Sequence, residues 1–151
     1  MRKLLMLFSI VLFASVVHIQ AQQTKSDAEL INQTALDYIE GWYDADAVRM
    51  ERALHPDLAK RIVRVDPKGR YALGQMSAMG LVQLTRAEGG KDIPKEKQQK
   101  DVTVLDIFGN AASAKVIASD WVDYLQLAKW KGRWVIVNVL WELKPTPAPA
   151  Q

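Results

Sequence analysis

The chain has 151 residues, no cysteine, two histidines and a formal net charge of +3. The absence of cysteine excludes disulfides, thiol catalysis and cysteine-ligated metal. Arg2 and Lys3 carry most of the excess charge, and without them the basic and acidic residues nearly balance, so the composition implies neither a nucleic-acid partner nor attachment to an anionic membrane surface.

Arg2 and Lys3, the uncharged apolar run Leu4–Val17 and the small residue Ala21 together read as a cleaved export signal over residues 1–21. The apolar run is short for a bilayer span, and polar sequence follows it directly. The expected product is an exported protein, periplasmic or secreted, with no membrane anchor after cleavage and one domain over residues 22–144. Residues 145–151, rich in Pro and Ala, read as a disordered tail with nothing to bury.

Ser26-Asp27-Ala28-Glu29 is a capping box, and Ile31, Ala35, Tyr38 and Trp42 follow at helical spacing, predicting an amphipathic helix to about Tyr43. Asp46 is placed to cap a second, shorter helix carrying Val48, Met50, Ala53 and Leu54, with Pro56 just past its end. Lys60–Val65 reads as a short strand, and Asp66-Pro67-Lys68-Gly69 as a turn. A third helix is expected over Ser77–Arg86, followed by a polar loop over Glu88–Lys100. Asp101–Lys144 then offers three β-rich runs separated by Gly109-Asn110 and Lys131-Gly132, with Trp121, Trp130, Trp134 and Trp141 among them. The order predicts an α+β fold with about three helices packed on one face of a curved antiparallel sheet.

Several strings, namely ALDYIEGWYDAD, ALHPDLAKR, FGNAASAKV, WVDYLQLAK and GRWVIVNVLWELKP, resemble the nuclear transport factor 2-like superfamily, and within it the lumazine-binding group. That superfamily also houses ketosteroid isomerases and polyketide cyclases. The resemblance covers nearly all of residues 28–145 and implies a cone-like fold, with a ligand entering between the first helices and the concave sheet face. It places the ligand-binding candidates at Trp42, Tyr43, His55, Asp57, Met76 and Met79 on the helical side, and at Trp121, Tyr124, Asn138 and Trp141 on the sheet. Fold alone does not settle function, because the superfamily includes enzymes, binders and interaction modules.

Three functions follow as expectations. The first is an exported protein that binds a small apolar or aromatic molecule in the cone, with no cofactor. The second is an isomerase-, cyclase- or dehydratase-like enzyme. His55, the one histidine after the export signal, would be its general base beside Asp57; in the competing reading its ring nitrogen only bonds backbone in the Leu-His-Pro-Asp turn. Asp57, Asp120 and Asp123 are the other acid–base candidates. The resemblance supplies the pattern for them: ketosteroid isomerases use an aspartate base with a tyrosine and a protonated aspartic acid. Asp120 and Asp123 would fall on opposite faces of one strand, so only one could point inward. The third is a dimerisation or accessory module with a filled cone.

Trp134 and Ile136 alternate with Val135, Val137 and Val139, making the last strand apolar on both faces. One face would meet the helices or the cavity, the other a second copy of the sheet in a homodimer. Asn138 is the polar exception there and needs a partner, either a buried hydrogen bond or a ligand. No metal site is expected, since one histidine without cysteine makes no ligand cluster. The Gly89-Gly90 pair lacks the context of a phosphate loop.

Overall fold

The computed structural model describes residues 25–145, so the export signal, and all of the tail except Pro145, lie outside the described residues. In chain order the elements are α1 (Asp27–Asp44), α2 (Ala47–Ala53), β1 (Leu54–Val65), β2 (Tyr71–Ser77), α3 (Ala78–Arg86), β3 (Lys100–Phe108), β4 (Ala111–Ala118), β5 (Trp121–Trp130) and β6 (Arg133–Leu143). The six strands form one curved, unclosed sheet in the order β2-β1-β6-β5-β4-β3. All neighbouring pairs are antiparallel except β1 and β6, which run parallel. The sheet is therefore mixed, and its last strand lies inside it beside the first.

Local signals explain the element ends. The Ser26 hydroxyl accepts from the Glu29 amide while the Glu29 carboxylate accepts from the Ser26 amide, closing the predicted capping box. Asp46 caps α2 through the Arg49 amide at 2.9 Å, and Ser77 caps α3 through the Gly80 amide at 3.2 Å. Lys131 and Gly132 both take positive φ, 48° and 80°, the geometry of a two-residue hairpin turn whose twist matches the strands it joins. The structure adds β2, where the sequence offered only a turn and the approach to a helix. It also splits one of the predicted β-rich runs at Ser119-Asp120 into β4 and β5. Strand β1 starts earlier than Lys60, but its pairing with β6 shifts between Leu54 and Ala59, so the His-Pro-Asp segment stands outside the regular ladder.

The core lies between the helices and the inner sheet face. Ile31, Ala35, Tyr38 and Ile39 of α1 pack with Leu58 of β1, Val116 of β4, Leu125 of β5 and Ile136 and Val139 of β6. The start of α1 is fastened to the sheet where Asp27 accepts hydrogen bonds from Trp134 Nε1 at 2.9 Å and Lys129 Nζ at 2.8 Å. Gly41 lets α2 approach α1, since a Cβ there would stand 2.9 Å from the Met50 amide nitrogen.

A bidentate pair ties α1 to α2: Arg52 Nε and Nη2 each lie 2.9 Å from a different Asp37 oxygen, and Arg49 Nε lies 2.9 Å from Oδ1. Burial pushes the Asp37 carboxyl up, but hydrogen bonds from Arg52 and Arg49 and the charge of Arg52 outweigh it and hold the group below its ordinary value of 3.8. Its folded value is thus lower than its unfolded one. The stability it contributes is complete above the unfolded value and is lost as pH falls through the folded one. Asp37→Asn is expected to lower stability at neutral pH and to flatten the acid limb, checked by urea unfolding of both proteins between about pH 6 and pH 2.

Candidate functional site

The concave side of the sheet bounds a partly open cavity of about 130 Å³ lined by Tyr38, Ile39 and Trp42 of α1, Met50 of α2, Lys60 of β1, Met76 of β2, Leu81 of α3, Trp121 of β5 and Trp141 of β6. Every lining residue is apolar or aromatic except Lys60.

Strand parity brings Lys60 inside. It alternates with Leu58 and Ile62, both buried, so it shares their face. Asp123 sits between Trp121 and Leu125 in the same way and is 0% exposed. The Lys60 ammonium makes an ion pair with Asp123 Oδ1 and donates to the Tyr38 hydroxyl at 2.7 Å. Tyr38 in turn donates to Asp123 Oδ2 at 3.2 Å, and Trp121 Nε1 donates to the same oxygen at 2.6 Å. The ammonium also stands 4.7 Å from the centre of the Trp141 ring, within cation–π range.

Burial lowers the Lys60 pKa below its usual value of 10.5, opposed by the charge and hydrogen bond of Asp123. Burial, and then the charge and hydrogen bond of Asp123, raise Tyr38 well above the usual 10.0, so it remains a neutral phenol. The cluster is net neutral. Both carboxylate oxygens are engaged, and the ammonium carries one more N–H than its two acceptors among the described residues use.

The aromatic wall is held from behind. Gly89 and Gly90 lie against Trp42: a Cβ on Gly89 would come 2.7 Å from the indole, and one on Gly90 would come 2.6 Å from the Trp42 carbonyl oxygen. The glycine pair is thus a packing device for the cavity wall. Tyr43 anchors the same region, its hydroxyl donating to the Gln99 carbonyl at 2.8 Å and accepting from the Ser119 amide at 3.0 Å.

Of the residues expected at a ligand site, Trp42, Met76, Trp121 and Trp141 line the cavity. Met76 does so from β2 rather than from a helix. Tyr43 is buried behind the wall, and Met79 is 61% exposed on the outside of α3. Tyr124 is exposed on the opposite sheet face, beneath Lys115. His55 and Asp57 do not reach the cavity. His55 packs edge-on against Trp130 with ring centres 5.0 Å apart, its Nδ1 accepts from the Asp57 amide at 3.1 Å, and the Asp57 side chain is exposed. Asp120 lies in the turn before β5, where its carbonyl accepts from the Lys144 amide at 2.8 Å.

Asn138 also points away from the cavity. A β-bulge in β6 pairs Gln126 with Asn138 but Leu127 with Ile136, leaving Val137 as the extra residue. The bulge puts Val139 and Trp141 on the inner face with Ile136 and Trp134, and Asn138 on the outer one. There Asn138 accepts from Arg61 at 2.8 Å and donates to Gln126 at 3.1 Å, so its partners are side chains of the sheet. Lys60 and Tyr38 were not among the expected polar site residues. The signal that finds Lys60 is a lone lysine between apolar neighbours two residues away on either side of a strand.

Removing one partner of a buried pair strands the other charge. Lys60→Met is expected to cost about 3–5 kcal/mol in chemical unfolding. Adding Asp123→Asn to it should recover a substantial part, because the buried charge is gone and the amide oxygen can still accept from Trp121 and Tyr38. A double-mutant cycle showing strictly additive losses would count against the pair as the anchor of the site.

The fold recurs among solved structures. An NTF2-like protein of unknown function from Methylobacillus flagellatus KT matches with a TM-score of 0.64 at 23% identity, over 82% of this chain and 97% of that one. One from Shewanella baltica OS155 gives 0.59 at 21%, over 82% and 100%. A ketosteroid isomerase-like protein from Erwinia carotovora atroseptica SCRI1043 gives 0.52 at 12%, over 82% and 100%. These likenesses establish an NTF2-like fold. No curated protein sequence matches this chain. At the level of sequence, residues 26–142 match the model of the family described as "Putative lumazine-binding", and the chain belongs to that family.

Proposed function

We propose that this is an exported protein that binds a small, neutral, single-ring molecule in the cone. The observation that carries the reading is a small cavity walled by three tryptophans, with one buried ammonium facing it. A cavity of about 130 Å³ is close to the ~150 Å³ apolar cavity that takes up benzene. It is well below the roughly 300–1,000 Å³ of drug-sized sites. It suits one six-membered ring better than the two fused rings of a pteridine. The charge balance of Lys60 and Asp123 favours a neutral ligand, and the remaining N–H of Lys60 favours one that carries an acceptor such as a carbonyl. Export rests on the basic and apolar pattern of the first 21 residues.

The reading predicts that toluene raises the melting temperature of the purified protein and quenches its tryptophan fluorescence. Acetophenone should bind about 1 kcal/mol more tightly than ethylbenzene through the added hydrogen bond. Lumazine should produce no shift. Trp141→Ala should weaken toluene binding while leaving a cooperative unfolding transition. A flat thermal-shift response to every single-ring compound would refute the proposal.

A second reading concerns assembly. The helices cover only the inner sheet face. The outer one exposes Val63, Val65, Tyr71, Leu73, Tyr124 and Leu140 around the polar row Gln75–Arg61–Asn138–Gln126. Such a face supports a homodimer through the sheet. Light scattering should then give a dimer, and Leu73→Glu with Leu140→Glu should return a monomer that still binds toluene. A wild-type monomer at micromolar concentration would exclude this arrangement.

A further inference from the structure

The Lys60 cluster holds more chemistry than binding needs. Its amine lines an otherwise apolar cavity, with a carboxylate and a phenol each within one hydrogen bond of the same nitrogen. We infer that Lys60 captures a single-ring aldehyde covalently as an imine, with Asp123 as the proton acceptor and Tyr38 as the donor to the carbonyl oxygen. This rests on the cavity reading above and adds to it a reaction and a substrate class.

The steps balance without any oxidant or cofactor. Asp123 takes one proton from the ammonium, leaving a neutral amine whose lone pair attacks the carbonyl carbon; the C–N bond forms as the C=O π pair moves onto oxygen. The Tyr38 hydroxyl gives its proton to that oxygen and recovers one from the protonated Asp123, forming a carbinolamine. The carbinolamine nitrogen at this stage is protonated and bears two protons, one more than the protonated imine keeps. That proton passes to the departing hydroxyl by way of Asp123, the C–O bond breaks, and water leaves. The sum is an ammonium and an aldehyde giving a protonated imine and water. Asp123 ends as a carboxylate facing the iminium, the same charge arrangement that it began with.

Several features favour this reaction over a purely structural ion pair. Burial lowers the affinity of Lys60 for its proton, which favours handing that proton to the carboxylate beside it. Tyr38 is kept as a phenol, so it has a proton to give. The Trp141 ring, with its centre 4.7 Å from the nitrogen, offers its face to an aromatic aldehyde and to the iminium charge. Among the described residues Lys60 is also the one amine lining the cavity, so a carbonyl seated there meets a single amine.

The test treats the purified protein with benzaldehyde and sodium cyanoborohydride, which fixes an imine as a stable benzylamine, and maps the adducts by peptide mass spectrometry. Lys60 is expected to be labelled saturably and about tenfold or more faster than the exposed Lys95 and Lys97, as befits a reactant held in place. Toluene should protect Lys60 but not the surface lysines. Lys60→Arg should remove the saturable phase, and Asp123→Asn should slow it in protein shown to be folded by its unfolding transition. Labelling of Lys60 no faster than of Lys95, or labelling that toluene fails to block, would overturn the inference. The same samples separate the two claims. Toluene quenching without a Lys60 adduct defeats only the imine, whereas no toluene quenching at all defeats the cavity reading on which it rests.

Discussion

The buried ion pair between Lys60 and Asp123 is the constraint around which the concave side is built. Two charges removed from water need hydrogen-bond partners, and here α1, β1 and β5 supply them together, leaving one Lys60 N–H for the cavity. Among the described residues no buried side-chain nitrogen or oxygen lacks a partner. Tyr38 must be a tyrosine in this arrangement, because a phenylalanine would leave Lys60 with one acceptor fewer and Asp123 with one donor fewer. Trp121 likewise serves two ends, with its ring on the cavity and its Nε1 on the carboxylate. The pair therefore fixes the position of α1 over the sheet at the point where the cavity opens.

Most of the fold was legible because its signals are local. The capping box at Ser26, the Asp46 cap and the Lys131-Gly132 turn each depend on a few adjacent residues, and each occurs where the sequence places it. Strand β2 was hidden because Tyr71–Ser77 lies between a strong turn and a strong helix cap, and it gains its status only by pairing with β1. The site was less legible. Trp42, Met76, Trp121 and Trp141 stand where the resemblance puts them, but Asn138 does not, because one extra residue at Val137 reverses the parity of everything after it. No side chain in GRWVIVNVLWELK announces that bulge. Lys60 and Asp123 could have been read together, since both sit at inward positions of their strands. What the sequence withheld was their adjacency, because β1 and β5 are separated in the sheet by β6.

The cavity wall shows how distant segments cooperate to keep a space open. Trp42 is wedged by Gly89 and Gly90 from the loop after α3, while Tyr43, one residue on, is bonded to the Gln99 carbonyl and to Ser119. The polar loop over residues 88–100 is therefore part of the frame of the site, despite its solvated composition. Neither tryptophan nor glycine alone would define the pocket. The indole needs a surface without a Cβ to lean on, and the glycines need the indole to fill the space beside them.

Strand β6 is made last but sits in the middle of the sheet, between β1 and β5. Lys60 belongs to one flank of it and Asp123 to the other, and Trp141, the ring over the ammonium, is on β6 itself. Until residues Arg133–Leu143 are inserted, the sheet is two separate pieces, β1 with β2 and β3 with β4 and β5, and the two charges belong to different pieces. Joining them closes a long loop, so the slow, entropically costly step of folding and the assembly of the pocket are one event. A nascent chain that has not yet released its C-terminal strand has helices and hairpins, but no pocket and no partner for its buried charges.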